Sequence, residues 1–197
     1  MDWSDAAEPK AGVIVSFTGW GDVLALPINA GRDHIRGTVD APVSLLEYGD
    51  YECPFCGVAY PVVEAVREEM GDALRFVYRH FPLTTVHPHA WMAAEASEAA
   101  GAQRRFWPMH DLLFEDQEHL AVPDLVTRAR ALGLDEGRFE EELAAHVHAG
   151  RVQEDFVSGV RSGVPGTPTF FVNGVRYEGP TDVDSLLAAV QMPLVRG

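Results

Sequence analysis

"YGDYECPFCGVAYP", residues 48–61, holds both cysteines of the chain, Cys53 and Cys56. The apolar run that leads into it, "APVSLLEYGD" (41–50), reads as a buried strand. The run that leaves it, Pro54 to Met70, has helical spacing and stops at Gly71. "ALRFVYRHF" (73–81) then reads as a second strand. Strand, helix, strand predicts a right-handed crossover between two parallel strands, and so an α/β fold.

The cysteines sit just past the first strand and open the helix. Pro54 falls early in that helix, where a missing N–H costs least. Cys56 follows Cys53 by three positions, so the thiols meet across the first turn. A helix N-terminus offers free N–H groups and positive partial charge. Both favour a thiolate, which is the species that attacks disulfides. This gives Cys53 the attacking role and Cys56 the resolving role. A bridge closing so short a loop constrains the unfolded chain weakly, so stability alone does not explain the pair. Two other readings stand beside the redox one. The thiols could be inert, or they could be half of a metal site. Such a site wants four ligands, and the chain has no second CxxC. His87 and His89, or His146 and His148, are the histidines that would complete one.

The rest of the chain is ordinary for a globular protein. Its 197 residues can bury a substantial core, and 47% of them are apolar. The net charge is −15, Lys10 is the single lysine, and no arginine cluster stands out. That balance disfavours nucleic acid and anionic membranes as partners. The runs "FEDQEH" (114–119) and "DEGRFEEEL" (135–143) read as solvated helix faces. No stretch is long and apolar enough for a membrane span. "GVIVSF" (12–17) lacks a basic flank and a cleavage site, so the chain as written is expected in the cytoplasm. A trimmed chain would instead be an exported one.

Residues 1–33 form an N-terminal extension in which "GVIVSF" and "VLALPI" (23–28) read as short strands. Beyond the second strand, helices are predicted at 89–102, 105–115, 123–133, 138–150 and 152–163. "TPTFFVNGVRYEG" (167–179) places Asn173-Gly174 between two β-rich runs, a hairpin signal. A last helix covers 182–190. The expected organisation is one α/β unit, 34–84 with 161–197, interrupted by a helical insertion at 85–160.

Three further positions carry chemistry. Glu47 lies six residues before Cys53, inside an apolar strand. A desolvated carboxylate has a raised pKa and suits proton exchange with Cys56. Alternatively it pairs with Arg79 or His80, or reaches solvent. Pro168 marks a strand start, or its bond to Thr167 is cis. Pro61 either kinks the first helix or ends it. "FWPMHDLLF" (106–114) reads as core of the helical block or as a substrate groove.

Taken together, these residues resemble a thioredoxin-fold thiol:disulfide oxidoreductase. The acid at Glu47, Cys53-Pro54-Phe55-Cys56 at a helix start, Pro61, and Thr167-Pro168 before a hairpin fill that family's positions. The all-helical stretch before Pro168 is similar to the DsbA-like branch. "RHFPL", "HPHAW", "FWPMHDLLF" and "GVPGTPTFFVNG" share that likeness, which spans about 34–192. The resemblance implies a thioredoxin fold with a helical insertion between the second core strand and the cis-proline strand. It implies exchange with protein or peptide substrates held at Pro54, Phe55, Thr167 and Pro168, and an unidentified redox partner. No metal and no bound cofactor are expected, because the cysteine pair carries the electrons. Oxidase, reductase and isomerase share these residues, so the net direction stays open.

Overall fold

A computed structural model of the chain describes residues 22–192. Among these residues, five strands form one sheet in the order β1-β3-β2-β4-β5. The strands are β1 (His34–Gly37), β2 (Val43–Gly49), β3 (Leu74–His80), β4 (Thr169–Val172) and β5 (Val175–Arg176). Helix α1 (Pro54–Met70) joins β2 to β3, which run parallel with Glu47 opposite Tyr78. Strand β4 runs antiparallel to β2 on its other side, with Glu47 opposite Phe170. Asn173 (φ 51°) and Gly174 (φ 83°) make the turn to β5, as the positive φ of such hairpin turns requires.

Five helices lie between β3 and β4: α2 (Ala90–Ala102), α3 (Phe106–Glu115), α4 (Val122–Ala131), α5 (Glu136–Ala144) and α6 (Ala149–Arg161). Helix α7 (Val183–Gln191) follows the hairpin. The expected helix at 138–150 is shorter than its apolar spacing suggests. It ends at Ala144, and His146 takes a left-handed φ of 52°, which breaks the helix before α6.

Both faces of the sheet are covered. On one, Leu45 and Phe76 join Val63 and Val66 of α1, Met109 and Leu113 of α3, and Leu186 and Val190 of α7. On the other, Leu46, Tyr48, Val77 and Phe171 pack with Phe81 and Val164, backed by Phe156 of α6. This is why β2 reads as a continuous apolar run rather than an alternating one. Helix α2 buries Ala93, Ala96, Ala99 and Ala100, whose small side chains let neighbouring helices approach. "FWPMHDLLF" resolves mainly to core: Phe106, Met109, Leu113 and Phe114 are buried in the main cluster. Pro61 lies inside α1, which continues past it to Met70.

Two strand readings change. "VLALPI" is no strand: Val23 makes a single bridge to Val175. The first strand is instead His34–Gly37, antiparallel to β3. Its polar letters hide it, because its side chains enter an ionic network rather than an apolar core. His34 and His80 share the Glu98 carboxylate at 2.9 Å, and Arg79 pairs with fully buried Asp33. Arg32 and Arg151 both hold Asp155. This network pins β1, β3, α2 and α6 together. "GVIVSF" lies outside the described residues.

Candidate active site

Cys53 is the N-cap of α1, with extended backbone (φ −74°, ψ 120°), and Pro54 takes the first helical position. Its carbonyl accepts the Gly57 N–H at 3.1 Å, closing the first turn. Both cysteines are free thiols, and both are buried. Cys53 retains 3% exposure, whereas Cys56 has none.

Their environments pull the two sulfurs apart. A hydrogen bond from the Cys56 thiol is the largest influence on Cys53. Burial opposes it, while the Thr167 side chain and the N–H groups of Cys56 and Phe55 add to it. Together they bring the Cys53 thiol down to about 5. The last two are free amides of the helix N-terminus, as the position of the pair implies. Cys56 goes the other way. Burial pushes its thiol well up, and its bond to Cys53 and the nearby Glu47 carboxylate push it further.

Glu47 projects from β2 beneath the pair and is buried. Desolvation, then the Cys53 charge, raises its carboxyl to about 8, against a smaller lowering by a hydrogen bond from Cys56. Its Oε1 has no hydrogen-bond partner. The alternative partners are engaged elsewhere, Arg79 with Asp33 and His80 with Glu98. Tyr78, opposite Glu47 in register, also keeps a buried hydroxyl without a partner.

The Thr167–Pro168 bond is cis. The Thr167 carbonyl accepts from the Cys53 thiol at 3.3 Å, which brings residues 114 apart in sequence into contact. Phe55 (71% exposed) and Val58 (67%) present apolar surface beside the sulfur. The sequence-derived set of Cys53, Cys56, Glu47, Pro54, Phe55, Thr167 and Pro168 therefore assembles in one place.

The histidines do not join it as ligands. His87 and His89 bond to Asp50 and Glu52, and His146 and His148 to Glu95 and Glu142. Among the described residues, the one group of three metal-ligating side chains is His80, Glu98 and Asp155, which includes neither cysteine.

Gln117 escaped the sequence reading. It lies in "FEDQEH", taken as a solvated face, yet it is half-buried and its amide donates to the carbonyls of Tyr51 (2.8 Å) and Cys53 (2.9 Å). Gly57 leaves room for it, because a Cβ there would stand 2.0 Å from the Gln117 Oε1. Asp50 was also missed, as a buried carboxylate one turn ahead of the pair. An acid in an otherwise apolar strand end was its only signal.

The comparisons with known proteins agree with this geometry. The family model described as Thioredoxin matches residues 29–192. Among solved structures, BdbD from Bacillus subtilis superposes with a TM-score of 0.75 at 24% identity, covering 87% of this chain and 95% of that one. Pseudomonas aeruginosa DsbA2 gives 0.65 at 26% identity, covering 84% and 94%. A curated relative from Salinispora tropica, named Na(+)/H(+) antiporter NhaA 3, is 52% identical over 169 residues. That match covers 85% of this chain but 26% of the relative. The chain thus spans about a quarter of that protein's length, and no helix among the described residues is long and apolar enough to cross a membrane. With its βαβ unit, its hairpin, its helical insertion and a CxxC at the start of α1, the chain belongs to the thioredoxin superfamily, in the DsbA-like branch.

Proposed function

We propose that this chain is a thiol:disulfide oxidoreductase acting on protein or peptide substrates through Cys53 and Cys56. The observation that carries the reading is the asymmetry of the pair. One sulfur, at the helix N-terminus, ionises near 5, and its neighbour is held protonated beside a buried carboxylate.

In the reducing direction, the Cys53 thiolate attacks one sulfur of a substrate disulfide. A mixed disulfide forms and the first substrate thiolate leaves. In the mixed disulfide Cys53 carries no charge, so one cause that holds the Glu47 proton is gone; Glu47 ionises, accepts the Cys56 proton, and the Cys56 sulfur attacks the Cys53 sulfur. The Cys53–Cys56 bond forms, the second substrate thiolate leaves, and two electrons have passed to the substrate. The reverse sequence makes a substrate disulfide. Thr167 and Pro168 hold the substrate backbone beside Cys53, while Pro54 and Phe55 line its approach. The pair itself carries the electrons, so the reaction calls for no bound cofactor.

The low pKa of Cys53 favours the dithiol form, which biases the couple toward oxidising substrates. The test is trapping. A Cys56→Ser protein should accumulate a mixed disulfide with one half of a disulfide-bonded peptide and release the other half as a thiol, and a Cys53→Ser protein should form none. Full exchange activity in the Cys53→Ser protein would contradict the reading.

The names of the curated relatives favour a second reading of context. In it, the chain is a redox unit working with a sodium–proton antiporter, in one polypeptide or as a partner. A Cys56→Ser chain carrying a small aromatic thiol on Cys53 as a mixed disulfide, incubated with membranes, should then exchange that thiol for an antiporter thiol and retain the antiporter, and its absence from the trapped species would contradict this.

A further inference from the structure

We propose that His87 is a positioning residue for the thiol pair, acting through the buried carboxylate of Asp50. The proposal rests on the exchange reading above and deepens it.

Asp50 stands in the turn between β2 and α1, and its backbone reaches both sulfur-bearing residues. Its carbonyl accepts the Cys53 N–H at 3.1 Å, and its backbone lowers the Cys56 thiol against the burial that raises it. Where this one residue's backbone sits therefore helps decide where the two cysteines sit. Its side chain is fully buried and grips a second loop. Oδ1 accepts the Glu52 N–H at 2.8 Å, while Oδ2 accepts the Leu83 N–H at 2.8 Å and the His87 Nδ1–H at 2.7 Å. The imidazole is held in turn, because the N–H groups of Val86 and His87 both donate to the Leu83 carbonyl.

The "HPH" segment (87–89) thus meets "DYE" (50–52) with matched spacing. His87 takes Asp50, and His89 takes Glu52 through its backbone N–H and Nδ1. Burial separates the two pairs. The His89–Glu52 pair is exposed and screened, whereas the Asp50 carboxylate is wholly enclosed. Removing His87 leaves Oδ2 with the Leu83 N–H as its remaining partner. A buried carboxylate short of donors reorients or draws in water, and the turn moves with it. The amides that face Cys53 belong to the next turn of the same backbone, so the thiolate loses alignment with them.

The experiment compares His87→Ala with His87→Asn, whose amide can still donate to Oδ2. Each is equilibrated with glutathione, and the Cys53 thiolate is titrated by its ultraviolet absorbance. In His87→Ala the equilibrium should move about tenfold toward the disulfide, which is about 30 mV. The thiolate titration should move to higher pH, and His87→Asn should restore both. Should the alanine protein fail to fold, His87→Phe keeps ring volume without a donor and is read the same way. A folded alanine or phenylalanine protein with unchanged equilibrium and titration overturns the proposal, whatever its melting temperature. A parent protein without any reversible couple would instead overturn the exchange reading itself.

Discussion

At the scale of single residues, Glu47 and Cys53 make opposite demands on pH. In the folded dithiol form Glu47 keeps its proton up to about 8, whereas an ordinary glutamate releases it near 4.5. The fold therefore loses stability as pH rises from 4.5 to 8. Cys53 ionises near 5 in the fold against 9.0 ordinarily, so the fold gains stability as pH rises from 5 to 9. A Glu47→Leu protein should be more stable than the parent by about 4 kcal/mol at pH 8, and little changed near pH 4. Its turnover should fall at least about tenfold, because Cys56 loses its proton acceptor. Urea denaturation at the two pH values, with a disulfide-reduction assay, checks both. Equal stability of parent and variant at pH 8 would mean that Glu47 is not buried as described.

At the scale of elements, the redox turn is gripped from the helical block. Gln117, just after α3, holds the carbonyls of Tyr51 and Cys53, and Gly57 makes the space. A Gly57→Ala protein must displace Gln117, since its Cβ would fall 2.0 Å from the amide oxygen. We expect a loss of about 1–3 kcal/mol, the range for leaving buried polar groups unpaired. Gln117→Ala should lose a similar amount, and the double variant little more than either alone. Full additivity would show that the two residues act independently. The sequence made α1, β2, β3 and the hairpin legible because their apolar periodicity and turn residues agree with the fold. Strand β1 was hidden because His34 and Arg36 pair with charges, to which periodicity is blind. Gln117 was hidden for the same kind of reason. A polar residue in an acidic run looks solvated until the loop it bonds is known.

At the scale of the whole molecule, the fold joins segments far apart in sequence at one sulfur. Cys53 at the start of α1 meets Thr167 just before β4, and six helices, α1 to α6, intervene. The cysteine pair was recognisable from its spacing and its place after a strand. The place of Thr167 beside it came from the family resemblance alone, since no local pattern reports a separation of 114 residues. The reduced and oxidised proteins should differ in stability, because the thiolate exists in the reduced form alone. The reduced form should be the more stable, by a margin that widens from pH 5 to pH 9 as Cys53 ionises. Thermal melts of both forms across that range check it, and a gap independent of pH would contradict it.

The central claim is that Cys53 and Cys56 form a thiolate-stabilised redox couple, and its midpoint potential against glutathione tests that most directly. Thioredoxin, with a thiol pKa of about 7, lies at about −270 mV, and DsbA, at about 3.5, lies at about −120 mV. With Cys53 near 5, steps of about 30 mV per pKa unit from those references predict a midpoint between about −210 and −165 mV. A midpoint at or below about −270 mV, or no reversible two-electron couple, would contradict the account.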